Sequence, residues 1–284
     1  MKSIKLVYWN ALNLGDLLSP YIVSKLSGLP VKHKGFYFLG IRGQLDLLVG
    51  FLKGRISIKE LSETLFFFER NLLAIGSIIS YGNKRSIVWG SGFMNWNGQI
   101  RGGEVLAVRG KLTNEKLIKM GFKGCRVFGD PALLLPLFVP SAAHKTCDIA
   151  LIPHWLEVEF FQKEYGQRYK ILDIRTADVE KFVSELTSCR YVLSTSLHGI
   201  ILSHAYGIPA LWIKQGYIDT DGFKFYDYFS SVGIPFYDGI TDFDFCLKKG
   251  NWEMLFTENK KYILPYKSIR SMQQDLIAVA PFKV

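Results

Sequence analysis

Residues 191–210 read Tyr-Val-Leu-Ser-Thr-Ser-Leu-His-Gly-Ile-Ile-Leu-Ser-His-Ala-Tyr-Gly-Ile-Pro-Ala. The apolar run 191–193 predicts a parallel strand, 194–196 a turn, and 199–206 a helix that ends before Gly207. A buried strand that passes through a short polar turn into a helix is the repeating unit of an α/β fold. The free amides at the start of this helix would face the carboxyl end of the sheet, where anions are favoured. This stretch therefore predicts an α/β fold with an anionic ligand near His198.

Strand-like and helix-like segments alternate along the rest of the chain, which implies parallel, doubly wound, Rossmann-like sheets. The pattern predicts strands at 5–9, 72–75, 87–89, 105–109, 126–128, 148–152, 170–174, 191–194 and 210–213, and helices at 17–26, from 76–77 onward, 113–120, 178–188, 199–206 and 269–278. Small and polar residues at 140–146 predict a boundary between two α/β domains, 1–142 and 143–284. Two such domains would face each other across a central cleft, and the last helix could cross back to the first domain.

Composition indicates a folded, enzyme-sized protein, because 49% of the 284 residues are hydrophobic and only 21% are charged. The four cysteines are widely spaced, so neither a disulfide framework nor a zinc site is predicted. This cysteine usage favours a reducing compartment such as the cytoplasm. The apolar run 4–9 is short and stops at Asn10, so it is interpreted as the first strand rather than a signal peptide.

A net charge of +10 calls for anionic partners, yet the basic residues are scattered, which argues against a nucleic-acid-binding stripe. Small anions or an anionic membrane surface fit this distribution better. Segment 40–71 mixes leucines and phenylalanines with basic residues. The favoured interpretation is a helical pair packed on the core. The alternative is a basic amphipathic helix on lipid headgroups, which would place the protein at the inner face of the membrane.

Seven short motifs occur in the order and spacing of one known family. They are Asn13-Leu14-Gly15-Asp16, Ile75-Gly76-Ser77, Trp89-Gly90-Ser91-Gly92, Arg109-Gly110-Lys111-Leu112-Thr113, Gly129-Asp130-Pro131-Ala132, Ser196-Leu197-His198-Gly199 and Lys224-Phe225-Tyr226-Asp227-Tyr228. In these motifs the chain resembles the polysaccharide pyruvyltransferases. The resemblance implies a fold like the two-domain GT-B glycosyltransferases. It also implies transfer of pyruvate from phosphoenolpyruvate to two hydroxyls of a sugar, which gives a cyclic ketal. Many members have Arg-Leu-His-Gly where this chain has Ser196-Leu197-His198-Gly199. The positive charge that the arginine would place beside the histidine must therefore come from another residue.

The implied donor carries a phosphate and a carboxylate, so its site needs cations or amide N–H groups in a cleft. The candidate donor-binding residues are Arg109, Lys224, Ser196, Gly199 and His154. The candidate catalytic residues are His198, whose ordinary pKa lies near the working pH, and Asp16. Asn13 and Gly15 are candidates for acceptor binding. No metal-ligand spacing or cofactor motif occurs, so the chemistry is expected to need neither.

Each candidate also has a purely structural interpretation. His198 could cap its helix, although the serines before it would already supply that cap. Asp16 could stabilise the start of the helix that follows it, and His154 could belong to a simple turn before the next element. Arg109 could pair with Glu104 or Glu115.

Two other functions are compatible with the sequence. A GT-B glycosyltransferase with a nucleotide-sugar donor would share the cleft and the anion site. Such an enzyme needs a carboxylate for the ribose, and Asp219 and Asp221 are the nearby carboxylates. A non-enzymatic sugar-binding protein would use aromatic platforms, for which Trp89, Trp96, Trp155 and Trp212 are the candidates. The sequence leaves open the identity of the acceptor sugar and whether it is lipid-linked.

Overall fold

The computed structural model of the chain describes residues 3–35, 41–58, 61, 69–216, 218 and 220–282. The helices are α1 Leu14–Ser27, α2 Ile41–Leu52, α3 Lys111–Lys119, α4 Val158–Tyr165, α5 Val179–Thr187, α6 Leu197–Ala205, α7 Phe223–Val232, α8 Phe243–Lys249, α9 Glu253–Glu258 and α10 Ile269–Ala278. The strands are β1 Ile4–Val7, β2 Val31–Lys34, β3 Asn71–Leu73, β4 Ser86–Trp89, β5 Glu104–Val108, β6 Val127–Phe128, β7 Cys147–Ile152, β8 Lys170–Ile171, β9 Cys189–Ser194 and β10 Ala210–Trp212. Short 3-10 helices occupy Ile79–Tyr81, Pro131–Leu137 and Lys260–Tyr262.

The strands form two parallel sheets. The first has the order β2-β1-β3-β4-β5-β6 and the second has the order β10-β9-β7-β8. In each sheet the first strand lies between the second and the third, so the connections leave its two sides in opposite directions. Ligands of open α/β sheets bind at this switch point, beyond the carboxyl ends of the strands. The topology therefore marks two places, the ends of β1 and β3 and the ends of β7 and β9.

A single large cluster of buried apolar side chains contains residues of both sheets, such as Leu6 of β1 and Ile152 of β7, together with helix residues such as Ile200 of α6. The 3-10 helix Pro131–Leu137 packs against α1, α6 and α10, and so lies between the two sheets. The last helix, α10, also packs against β6. The Trp89 indole donates a hydrogen bond to the α10 carbonyl of Leu276 (2.9 Å). The fold is thus mixed α/β with parallel, Rossmann-like sheets, and the division into two GT-B-like domains stays a prediction.

Several local predictions differ from the structure. No helix begins at Gly76–Ser77, where the chain bends before the 3-10 turn at residues 79–81. Strand β2 was not predicted, because its sequence Val-Lys-His-Lys has a single apolar residue. Helix α3 begins after Gly110, so Thr113 lies inside it and does not cap it. Instead, Thr113 donates from its hydroxyl to Asp227.

Helix α2 covers the first part of the basic, leucine-rich segment. Its Leu45, Leu48, Val49 and Leu52 side chains are exposed, and Leu52 retains 82% of its accessible surface. The expectation that these leucines pack on the core is therefore wrong for this face of α2, because no buried partner covers it among the described residues. The predicted partner segment 62–68 lies outside the described residues. None of the described helices is long and apolar enough to cross a bilayer.

Candidate functional site

A cleft of about 410 Å³ opens where the two switch points meet. The segments that follow β1, β3, β7 and β9 all contribute to its lining. Most of the residues singled out from the sequence line this cleft, namely Asn13, Asp16, His154, Ser196, His198 and Lys224. The remaining candidates, Gly15, Gly199 and Arg109, do not line the cleft. They pack against residues next to it. Parallel strands deliver their carboxyl ends to one edge of a sheet, which explains why residues so distant in sequence meet here.

Asp16 lies in the first turn of α1, where Asn13 is the N-cap. The Asn13 side chain accepts a hydrogen bond from the amide of Gly15 (3.2 Å) and donates one to the Asp16 carboxylate (2.9 Å). Burial raises the pKa of Asp16 to about 7, although the Lys224 charge and the Asn13 hydrogen bond act in the opposite direction. Near neutral pH this carboxyl group therefore exists in both protonation states.

His198 lies in the first turn of α6, and its side chain is mostly buried. Its Nε2 atom is 4.0 Å from the Asp130 carboxylate and has no hydrogen-bond partner among the described residues. Burial, together with the charges of Lys224 and Arg109, lowers the pKa of His198 to about 3. The expectation of an ordinary histidine pKa therefore does not hold for His198. The imidazole is neutral and can accept a proton.

The start of α6 lacks the predicted serine cap. Ser196 is the N-cap residue, but its side chain makes no capping hydrogen bond. Ser194 instead accepts a hydrogen bond from the Ser196 amide (3.0 Å) and donates one to the Ile152 carbonyl (2.7 Å), which holds the turn against β7. Serine hydroxyls thus order the hinge without covering the first amides of α6, so these amides remain a favourable environment for an anion.

Glycines at two positions allow close packing beside His198. A Cβ atom on Gly15 would lie 2.1 Å from the Nδ1 atom of His198, so α1 can approach the imidazole only with glycine there. A Cβ atom on Gly199 would lie 2.3 Å from the Ser194 hydroxyl oxygen. Gly15 thus lets α1 pack against the imidazole, and Gly199 lets the start of α6 pack against β7 and the end of β9.

His154 follows β7, and its amide donates a hydrogen bond to the Thr195 hydroxyl (2.7 Å). Burial lowers the pKa of His154 to about 3, with a further contribution from the Lys224 charge. Lys224, in the first turn of α7, is 5% exposed and acts electrostatically on Asp16 and both histidines. The cleft thus combines a buried cation, two neutral imidazoles and a carboxyl group that titrates near pH 7.

Arg109 is completely buried at the end of β5. Its guanidinium donates to the Asp227 carboxylate (3.0 Å), the Ser77 hydroxyl (2.6 Å) and the Phe93 carbonyl (2.5 Å). The ion pair considered with Glu104 or Glu115 is therefore formed with Asp227, a residue of α7. Arg109 holds together the segment after β3, which lines the cleft, and the helix that carries Lys224.

Asp130 lies beside His198, although it was not among the candidate site residues. It caps the 3-10 helix by accepting a hydrogen bond from the Ala132 amide (3.0 Å), as the Gly-Asp-Pro motif indicates. It is also completely buried beside His198, where burial raises the pKa of Asp130 to about 6 against the lowering effect of the Ala132 amide and Arg109. The motif predicts the cap, but only the tertiary structure brings this carboxylate behind the imidazole.

Asp221 and the tryptophans bear on the two alternative functions. Asp221 accepts hydrogen bonds from the amides of Trp96 (2.8 Å) and Phe223 (3.1 Å), so its carboxylate is occupied within the fold. Asp219 lies outside the described residues. Trp89 and Trp212 are buried in the core and cannot serve as sugar platforms. No group of three or more metal-ligating side chains occurs in the described part of the chain.

The geometry defines a Rossmann-like α/β protein with an acid–base cleft at its switch points. The family model for polysaccharide pyruvyl transferase matches residues 54–217, more than half of the chain. The chain belongs to the polysaccharide pyruvyl transferase family. It is similar to an uncharacterized protein of Acanthamoeba polyphaga mimivirus, with 33% identity over 171 residues, which is 56% of this chain. The match spans 59% of the length of that relative. No solved structure matches the chain.

Proposed function

We propose that this protein transfers pyruvate from phosphoenolpyruvate to two hydroxyls of a saccharide and so forms a pyruvyl ketal. The observation that carries the proposal is the contrast within one cleft between Asp16, with a pKa of about 7, and His198, with a pKa of about 3. Two titratable groups whose environments drive their pKa values apart are the pattern expected of an acid and a base. Family membership supports pyruvyl transfer to a polysaccharide in general.

The donor would bind through Lys224, the amides at the start of α6, Ser196 and His154. Lys224 supplies a charge beside a helix terminus, and a charge-assisted hydrogen bond is stronger than a neutral one. Lys224 thereby offers the cation that Ser196 does not. In this proposal Arg109 and Gly199 shape the donor site without touching the donor. Arg109 holds Ser77 and α7 in place through its hydrogen bonds. Gly199 lets the start of α6 pack against Ser194.

The reaction needs one proton donor and one proton acceptor. His198 takes the proton of the first acceptor hydroxyl, whose oxygen attacks C2 of phosphoenolpyruvate, while protonated Asp16 gives a proton to the methylene carbon, which becomes the methyl group. The C2–O bond to the phosphate then breaks, the second hydroxyl oxygen bonds to C2, and its proton leaves with inorganic phosphate. The proton held by His198 passes to Asp16 through solvent, so both groups return to their starting protonation states. Asp130 behind His198 favours the imidazolium that forms during the first step, because its carboxylate is 4.0 Å from Nε2.

The acceptor would enter beside Asn13, whose side chain already orients Asp16. Gly15 serves the same side of the cleft by letting α1 approach His198. A lipid-linked acceptor fits the exposed apolar face of α2, Leu45 to Leu52, which is followed by exposed Lys53 and Arg55. We propose that this face contacts anionic headgroups at the cytoplasmic side of the membrane. Co-sedimentation with anionic but not zwitterionic vesicles tests this, and a Leu48→Ser, Leu52→Ser variant that sediments equally well would refute it.

Calorimetric titration with phosphoenolpyruvate, UDP-sugars and CMP-sialic acid tests the donor. We expect binding of phosphoenolpyruvate alone, weakened in Lys224→Ala by about 1–3 kcal/mol because a charge-assisted contact in a partly buried site is lost. A nucleotide sugar that binds while phosphoenolpyruvate does not would instead indicate a GT-B glycosyltransferase. Unchanged affinity in Lys224→Ala would show that the anion binds elsewhere.

Phosphate release with a panel of saccharide acceptors tests the catalytic role of His198. His198→Asn keeps a polar group but cannot exchange a proton near neutral pH. Turnover should therefore fall by roughly two to four powers of ten at unchanged melting temperature. The control is His144→Asn, which should retain full activity. His144 is exposed and lies in the chain segment that connects the first sheet to the second. A stable His198→Asn protein with near-normal turnover would remove His198 from the mechanism.

A further inference from the structure

The Trp9 side chain is exposed to solvent and also lines the cleft. It follows β1 by two residues and lines the cavity beside Asn13 and Asp16. Its side chain keeps 49% of its accessible surface, although an indole is one of the largest apolar groups in a protein. An exposed aromatic ring in a cleft that already contains acid–base groups indicates a ligand with an apolar face.

The Trp9 ring is held from the opposite side of the cleft. Trp155, which follows β7, also lines the cavity, and the two ring centroids are 6.0 Å apart with an interplanar angle of 82°. Such an edge-to-face contact is a favourable geometry for two aromatic rings and restricts the orientation of both. The pair therefore joins the two switch points and presents the Trp9 indole at a defined angle.

Other tryptophans of the described chain lack this combination. Trp89 and Trp212 are buried in the core. Trp96 is as exposed as Trp9, at 53%, but lies outside the lining of the cleft, and its ring contacts Phe223 edge-to-face. Exposure alone therefore does not distinguish Trp9, whereas exposure together with proximity to the acid–base groups does.

We propose that Trp9, supported by Trp155, is the platform on which a pyranose ring of the acceptor stacks. One face of a pyranose carries mainly C–H groups, and its burial against an indole removes apolar surface from water. The hydroxyls at the ring edge are then free to meet Asn13 and Asp16. This assignment rests on the proposed function for the identity of the acceptor, and it names the group that selects a sugar ring over a non-cyclic polyol.

Titration of the 284-residue protein with methyl glucopyranoside, galactopyranoside and mannopyranoside, with and without saturating phosphoenolpyruvate, tests the platform. The readout is the indole N–H resonances of the ¹⁵N-tryptophan-labelled protein, assigned through single substitutions. The Trp9 signal should shift with at least one glycoside while the Trp96 signal stays in place. Glycerol and sorbitol at the same concentrations should leave both signals unchanged. If no glycoside moves the Trp9 signal, or if the open-chain polyols move it equally, the platform is wrong.

Substitutions complete the test. Trp9→Ala should weaken glycoside binding about tenfold or more, Trp9→Phe should bind within about threefold of the native protein, and Trp96→Ala should bind normally. Melting temperatures serve as the folding check, and phosphoenolpyruvate affinity should be the same in all these variants. Equal glycoside binding in Trp9→Ala and Trp96→Ala would overturn the inference. Glycoside binding at Trp9 without any phosphoenolpyruvate binding would retain the platform and refute the proposed reaction.

Discussion

Burial has opposite consequences for the two proposed catalytic residues. Removal from water disfavours the charged form of any group, so it raises the pKa of Asp16 and lowers the pKa of His198. The adjacent Lys224 charge opposes the first change and adds to the second. At neutral pH the cleft thus holds a carboxyl group that is protonated in part of the molecules and an imidazole that carries no charge. An arriving anion would raise the pKa of both groups.

Asp16→Asn should change how stability depends on pH. The folded-state pKa of Asp16, about 7, lies above its unfolded value of 3.8. Between these values the folded state binds more protons, so the native free energy of unfolding falls as pH rises. At pH 8 the variant should be more stable than the native protein by on the order of 4 kcal/mol, with little difference near pH 4.

Urea unfolding from pH 4 to pH 8 checks this prediction. Asp242→Asn, at an exposed position, is the matched control and should follow the native curve at every pH. A stability difference for Asp16→Asn that stays constant across the range would contradict the raised pKa.

Gly15→Ala should destabilise the protein, although alanine is normally the better helix residue. The new methyl group would lie 2.1 Å from the Nδ1 atom of His198, so helix or imidazole must move. Overpacking of this kind costs about 1–3 kcal/mol. Thermal melting of Gly15→Ala, His198→Ala and the double variant forms a cycle. The double variant should recover stability relative to Gly15→Ala, and strictly additive losses would show that the two residues do not clash.

At the scale of elements, α7 is fixed to the first sheet by one buried carboxylate. Asp227 accepts hydrogen bonds from the Arg109 guanidinium (3.0 Å) and from the amide (2.8 Å) and hydroxyl (2.7 Å) of Thr113. Gly110 packs against the same residue, since a Cβ atom there would lie 1.7 Å from the Asp227 carbonyl oxygen. Because α7 carries Lys224, this attachment sets the position of the cation in the cleft.

Asp227→Ala should therefore cost about 3–5 kcal/mol, because it leaves the Arg109 charge buried without its partner. Activity should fall in the fraction that stays folded, since Lys224 moves with α7. Asp178→Ala, which removes an exposed N-cap from α5, is the control and should cost only about 1 kcal/mol. Chemical denaturation of both variants decides the matter, and similar losses would mean that the Asp227 network adds little.

At the scale of the whole molecule, the two sheets repeat one strand order and share one apolar core. Helix α10 adds a second connection, since it follows the second sheet in the chain but packs on β6 of the first. Unfolding of either sheet would expose apolar surface of the other. We therefore expect one cooperative transition, in which tryptophan fluorescence and far-ultraviolet circular dichroism change at the same denaturant concentration.

Leu276→Ala tests this coupling. Leu276 is completely buried, and its side chain lies next to Gly129 at the end of β6. Loss of a buried leucine costs about 2–5 kcal/mol. In a coupled molecule both optical signals should shift to lower denaturant by the same amount. Two separate transitions, of which only one responds to Leu276→Ala, would instead favour independent domains.

Periodicity was sufficient to predict every described strand except β2, because a buried parallel strand is a short apolar run, and it predicted helices that end at glycine stops, as α6 does at Gly207. It gave no helix for the short α4, α8 and α9. Periodicity failed where the hydropathy pattern of a segment does not match the burial of its side chains. Strand β2 pairs with β1 through its backbone although its side chains are largely polar. The apolar stripe of α2 predicted a core face, yet Leu45 and Leu52 are exposed. Hydrogen bonding between strands and the presence of a covering element are not encoded in local hydropathy.

The sequence by itself determined the alternation of strands and helices, the turns after the strands and the motifs that identify the family. It predicted that Asp16, His154 and His198 would follow strand ends, and this rests on local rules of the α/β unit. Only the tertiary structure decided that Arg109 pairs with Asp227 behind the cleft, that Asp130 lies beside His198 and that both histidines are neutral. Ion-pair choice and pKa depend on which distant groups share a buried volume, and that volume exists only after the two sheets have packed together.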